Sequence, residues 1–163
     1  NDYNQSGQDY IAYCFHSVSG FSKFGTYTGT GSSTIGQLVE IGFSPALIMI
    51  KKTSGTGDWR IYDNKRGSVS TDIYDGNRYP LYGNLDNAEG AGVNEIRFLN
   101  NGFEVGTGNN TNDSGSTYIY AAWAADPDAT APTLADSFSV NAYTGNSSTT
   151  QSITGLGFKS NLI

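Results

Sequence analysis

Cys14 and His16 are the one cysteine and the one histidine of this chain, and nucleophilic chemistry would have to begin there. A Cys-His or Ser-His-Asp arrangement needs a base beside the nucleophile, so His16 would have to be that base. Strand alternation sends the two side chains to one face. A related stretch at Tyr118–Ala124 places Ala122 and Ala124 at the matching positions. The pair therefore reads as a packed thiol beside a satisfied histidine. Glycoside hydrolysis would instead need an acid and a second carboxylate across the scissile bond. Glu40, Glu89, Glu95 and Glu104 are scattered, while Asp58 and Asp63 flank a strand at odd spacing and should face opposite ways. All of these read as solvated surface acids. Asn109–Asp113 and Asp72–Asp75 supply oxygen ligands of the kind calcium takes. They lack EF-hand spacing, and such clusters commonly form turns. The expectation is a non-enzymatic chain with no catalytic residue, no metal site and no cofactor.

Sugar recognition is the other chemistry on offer. The segment 64–92 is long and irregular, which in a compact domain often marks function. Within it Tyr74, Asn77, Arg78, Tyr79 and Tyr82 combine rings for stacking on sugar faces with polar groups for hydroxyls. The competing reading packs these tyrosines onto their own domain. Nucleic acid is excluded as a partner by 9 Lys+Arg against 15 Asp+Glu, a net charge of −6. The same balance argues against docking on anionic lipid. No apolar run approaches the length of a membrane-spanning helix.

These residues need a scaffold, and the composition specifies its type. The 163 residues include 21 Gly and 11 Tyr, with a single Met. So many aromatics argue for a folded chain, and the mixture suits short strands joined by turns. One Cys excludes an intrachain disulfide and a cysteine-ligated zinc site. Strands are expected at Phe21–Thr28, Ala46–Lys52, Trp59–Asp63, Glu95–Leu99, Phe103–Val105 and Tyr118–Trp123. Alternation predicts that Trp59, Ile61, Phe98, Phe103 and Trp123 point inward. Asn100-Asn101-Gly102 should turn a hairpin with Asn and Gly at positive φ. The expected fold is all-β, an antiparallel sandwich of the jelly-roll kind.

Self-comparison reorganises the chain. At a constant offset of 108, Asn1, Asn4, Ser6, Gly7, Tyr10 and Ile11 return as Asn109, Asn112, Ser114, Gly115, Tyr118 and Ile119. Tyr27-Thr28-Gly29 returns as Tyr143-Thr144-Gly145, Gly42-Phe43 as Gly157-Phe158, and Leu47-Ile48 as Leu162-Ile163. Residues 1–16 thus read as the end of one repeat and 17–125 as a complete one. Residues 126–137 read as a Pro-containing linker and 138–163 as the start of another repeat. The chain is expected to be a window from a tandem array, or a subunit whose ends complete its neighbours. Its assembly strands are expected to carry Tyr10, Ile11, Tyr13 and Phe15 at one end and Phe158, Leu162 and Ile163 at the other. The N-terminal strand should pair with the C-terminal segment of another copy, head to tail.

The stretches YIAYCFHSVSGFSKFGTYTG (Tyr10–Gly29), GFSPALIMIKK (Gly42–Lys52), DWRIYD (Asp58–Asp63), FLNNGFEV (Phe98–Val105) and YIYAAWA (Tyr118–Ala124) carry a resemblance. They resemble a repeated domain of virion and tail-fibre-like proteins of marine phages, itself similar to concanavalin-like lectin and glucanase sandwiches. The resemblance implies a virion or extracellular setting and an architectural role, with copies of the chain itself as partners. A carbohydrate-binding adhesin for cell-surface glycans is the alternative, and a polysaccharide hydrolase a remote one. The Glu-x-Asp-x-Glu strand of the glucanases has no counterpart here.

Overall fold

Short runs of aromatic and branched residues, stopped by Gly, Ser and Asn, form strands along the chain. The computed structural model describes residues 4–32, 36–66, 79–90, 95–106, 108–124, 138–157 and 159. Its strands are β1 (Asp9–Phe15), β2 (Ser22–Thr28), β3 (Gln37–Glu40), β4 (Pro45–Lys52), β5 (Arg60–Asp63) and β6 (Leu81–Tyr82), followed by β7 (Ile96–Leu99), β8 (Gly102–Val105), β9 (Thr117–Ala124) and β10 (Phe138–Thr144). One helical turn, α1 (Asn109–Asn112), stands where the Asn/Asp cluster suggested a turn. The chain divides into two compact units, one of Ser19–Ala129 and one of Asn1–Val18 with Thr130–Ile163. The expected linker, 126–137, lies outside the described residues.

The larger unit is an antiparallel β-sandwich. One sheet has the order β2-β9-β4-β5-β6 and the other the order β3-β8-β7. Tyr27, Ile48, Ile50, Tyr62, Tyr118 and Ala122 from the first sheet meet Val39, Ile96, Phe103 and Val105 from the second in one core. Pleating puts alternate residues on this inner face, so the core follows directly from period-two patterning.

The period of β5 was legible in the sequence and its phase was not. Trp59 and Ile61 are half-buried, while Arg60 (8% exposed) and the fully buried Tyr62 occupy the core face. A shift of one residue exchanges the two faces of a strand. The inward Arg60 is tolerated because its guanidinium lies 4.6 Å from the centre of the Tyr82 ring and 3.9 Å from Glu95. Phe103 is buried as expected, whereas Phe98 and Trp123 are half-buried. Trp123 meets Phe24 edge-on at 5.6 Å.

The hairpin forms with Asn100 and Asn101 as its loop and Leu99 opposite Gly102. Neither asparagine has positive φ; Gly102 does, at 155°. A side chain at Gly102 would collide with the carbonyl oxygen of Val39 on neighbouring β3. Here glycine serves the close approach of two strands more than the turn itself.

Candidate functional site

In the smaller unit, β1 (DYIAYCF) and β10 (FSVNAYT) form an antiparallel two-stranded sheet. Tyr10 lies opposite Tyr143, Ala12 opposite Asn141 and Phe15 opposite Phe138. In the larger unit Tyr118 lies opposite Tyr27 and Trp123 opposite Ser22. Shifting β9 by 108 and β2 by 116 reproduces the β1–β10 register residue by residue. The ladder expected between copies is closed here within one chain, because each terminal segment carries the strand the other lacks.

The likeness extends to side chains and turns. Tyr27 and Tyr118 stack at 5.0 Å with planes 10° apart; Tyr10 and Tyr143 stack at 5.1 Å and 19°. The amide of Gly29 donates to Ser116 O at 2.8 Å, and the amide of Gly145 donates to Gln8 O at 2.8 Å. Asn112 Oδ1 accepts from the amide of Thr30 at 2.8 Å, while Asn4 Oδ1 accepts from the amide of Asn146 at 2.7 Å. The Tyr118 hydroxyl accepts from the amide of Asp113 at 2.9 Å, and the Tyr10 hydroxyl from that of Gln5 at 3.1 Å. Gly31 has φ 69° and its counterpart Ser147 has φ 60°, the one positive φ at a non-glycine among the described residues. Asn4 and Asn112 are therefore turn clamps. Their identity at constant offset was the signal, and the favoured reading of Asn109–Asp113 as turn formers agrees with it.

What surrounds the two pairs differs. In the larger unit Ala121 is 3% exposed and Phe24 7%; their counterparts Tyr13 and Val140 are 56% and 50% exposed. Ile11 is 63% exposed, and Phe15 is half-buried against Phe138 with ring centres 5.1 Å apart. The inner face of the pair holds Ala12, Cys14 and Leu156, with Tyr143 and Ile153 packed against them. Cys14 is a buried free thiol, and His16 lies just past the end of β1. Phe158, Leu162 and Ile163 lie outside the described residues.

The proposed sugar loop contributes less. Tyr74, Asn77 and Arg78 lie outside the described residues, and Tyr79 is half-buried. Tyr82 belongs to the edge strand β6, where one ring face is taken by Arg60. Nearby stands a buried polar cluster that the sequence did not announce. Glu95 is 4% exposed, contrary to its reading as a solvated acid. Its carboxylate accepts a hydrogen bond from the Tyr62 hydroxyl and faces Arg60. Burial, and then the adjacent carboxylate, push the Tyr62 hydroxyl well above the ordinary tyrosine value. A proton donor and an ion-pair partner together keep a buried carboxylate satisfied, which is a structural role. Glu104 is half-buried and paired with Arg97, while Glu89 is exposed and paired with Arg66 at 2.5 Å.

Residues 1–127 match the family described as "Domain of unknown function (DUF7483)". The match takes in β1 and the described strands of the larger unit, so the chain belongs to that family. No curated protein and no solved structure matches it.

Proposed function

From membership of a family with no described activity, we propose that this chain is a structural repeat module that assembles head to tail through its terminal strands. The observation that carries the reading is the β1–β10 ladder in the β9–β2 register. Two segments that meet in one chain can meet equally well when they come from two copies. Exchange of β10 between copies conserves the ladder, the tyrosine stack and the Asn4 clamp, so little beyond linker entropy separates the closed and exchanged forms. Effective concentration then decides between them. Such a contact is heterologous and need not close on itself, so it propagates into a filament.

A virion, tail-fibre or extracellular filament is the setting supported by the motif resemblance to marine-phage proteins. A carbohydrate-binding role has weaker support, since the Tyr82 ring is already engaged by Arg60. Light scattering on protein refolded at low and at high concentration tests the proposal. Monomer at low concentration and a series of oligomers at high concentration is the expected result. A monomer under both conditions would contradict it.

A further inference from the structure

The tip of the β7–β8 hairpin carries Asn101-Gly102, the one Asn-Gly step in the sequence. Asn101 is exposed, yet its main-chain carbonyl is engaged. It accepts from the amide of Ile41 at 3.0 Å and from that of Gly42 at 3.4 Å, just past the end of β3. Asparagine side chains are chemically labile, and a following glycine presents its backbone nitrogen with no Cβ in the way. We propose that Asn101 is a self-modification site: the Gly102 nitrogen closes on the Asn101 side chain, and the isoaspartyl product releases β3 from the second sheet. The reaction consumes water alone. It is also independent of how the terminal strands assemble.

The step balances as follows. The Gly102 backbone nitrogen gives up its proton and bonds to Cγ of Asn101. The bond from Cγ to Nδ2 breaks, and ammonia leaves with that proton. The resulting five-membered imide takes up one water at either carbonyl. Opening at Cγ gives aspartate; opening at the main-chain carbonyl gives isoaspartate. In isoaspartate the chain runs through Cγ and is one methylene longer, while the old carbonyl becomes a carboxylate on a branch. The hairpin leaves little room for that length. Gly102 lies opposite both Leu99 and Glu40, and a Cβ on it would already collide with the Val39 carbonyl oxygen. The oxygen that holds the Ile41 and Gly42 amides is thereby moved off the chain leading into β8, and it gains charge near Glu40 at the end of β3. β3 joins its sheet through β8, and Ile41 is 7% exposed, so this anchor seats both the strand end and a core residue.

The test ages the full chain in warm, mildly alkaline buffer. Peptide mass spectrometry should show the mass gain of amide-to-acid conversion first in the peptide holding Asn101. Labelling by an isoaspartyl methyltransferase should identify isoaspartate there. In the isoaspartyl fraction the Ile41 and Gly42 amides should exchange about tenfold faster, while those of β4 and β9 keep their rates. Fresh Asn101→Asp adds the charge without the extra methylene and should exchange like the unaged chain. Asn101→Gln should age with no change at this turn. Asn101 surviving while other asparagines convert would overturn the proposal, as would isoaspartate formed with unchanged exchange at Ile41 and Gly42. Equally fast exchange in fresh Asn101→Asp would also overturn it, since charge rather than chain length would then loosen β3.

Discussion

The β2–β9 pair and the β10–β1 pair share register, tyrosine stack and asparagine clamp, yet one is a sandwich interior and the other a ribbon. Around β9 the larger unit adds β4 at the second edge and a three-stranded sheet across the inner face. Around β1 the described residues add the segment that brings Ile153 and Leu156. The same local sequence therefore builds the same ladder in both places, and burial comes from what is packed on it. Strand pairing is a local property here; core formation is not.

The largest effect expected from breaking this contrast comes from Phe103, which lies in the second sheet and is fully buried. Phe103→Ala should cost the larger unit about 3–5 kcal/mol, the usual range for truncating a buried aromatic. Urea unfolding followed by tryptophan fluorescence reads that unit, since Trp59 and Trp123 both lie in it. Amide exchange in β1 should be unaffected. Loss of protection in both pairs would show that the units do not unfold independently.

Tyr62→Phe removes the hydroxyl that donates to buried Glu95. Loss of a buried hydrogen bond to a charged group should cost about 1.5–3 kcal/mol. It should also change the alkaline limb. Burial raises the hydroxyls of Tyr27 and Tyr62 above the ordinary value of 10.0 in the folded state. The folded chain thus keeps protons that the unfolded chain gives up, so stability is complete below about pH 10 and falls above it. The fall should be shallower in Tyr62→Phe, as measured by urea midpoints between pH 8 and pH 11. Equal slopes for the two proteins would contradict the assignment.

The matched asparagines sharpen the contrast further. Asn112 is buried, and it both accepts from Thr30 and donates to Gly106 O at 2.8 Å. Asn112→Ala should cost about 2 kcal/mol, because buried groups are left unpaired. Asn4 makes its bonds at the surface, and Asn4→Ala should cost below about 1 kcal/mol. Equal losses would mean that the two clamps carry equal weight despite their different burial.

The smallest change is expected at Ser147, which holds the conformation that Gly31 holds in the other pair. Ser147→Gly relieves a left-handed serine but removes the hydroxyl that accepts from the amide of Ser6 at 2.7 Å. The two effects oppose each other, and the net change should stay within about 0.5 kcal/mol. Thermal unfolding of the smaller unit, followed by amide exchange, reads it.

Much of this architecture was legible in the residues. Tyr118–Trp123 and Ala46–Lys52 mark β9 and β4, and the matched Tyr-Thr-Gly motifs locate the strand ends of both pairs. The phase of β5 was not legible, because Trp59 and Ile61 look more apolar than Arg60 and Tyr62. Only tertiary partners make an inward arginine acceptable: Glu95, some 35 positions away in sequence, and Tyr82 on an edge strand. Glu95 itself looked like a surface acid for the same reason, since nothing local signals a hydroxyl and a guanidinium converging on it. The clamp at Asn4 was present as a repeated letter but concealed by the general habit of asparagine to form turns. Its partner, the amide of Asn146, lies at the far end of the chain.

Pairing of β1 from one copy with β10 of another is the central claim, and a disulfide can report it. Two variants in a Cys14→Ala background, one with Tyr10→Cys and the other with Tyr143→Cys, would be unfolded together, refolded at high concentration and oxidised. Those positions are directly opposed in the ladder. The account predicts a covalent heterodimer at about twice the 17.4 kDa chain mass on a denaturing gel. A variant with Ala142→Cys in place of Tyr143→Cys, one position out of register and on the other face, should give far less. Monomers alone, or equal yields from the two combinations, would contradict strand exchange between copies.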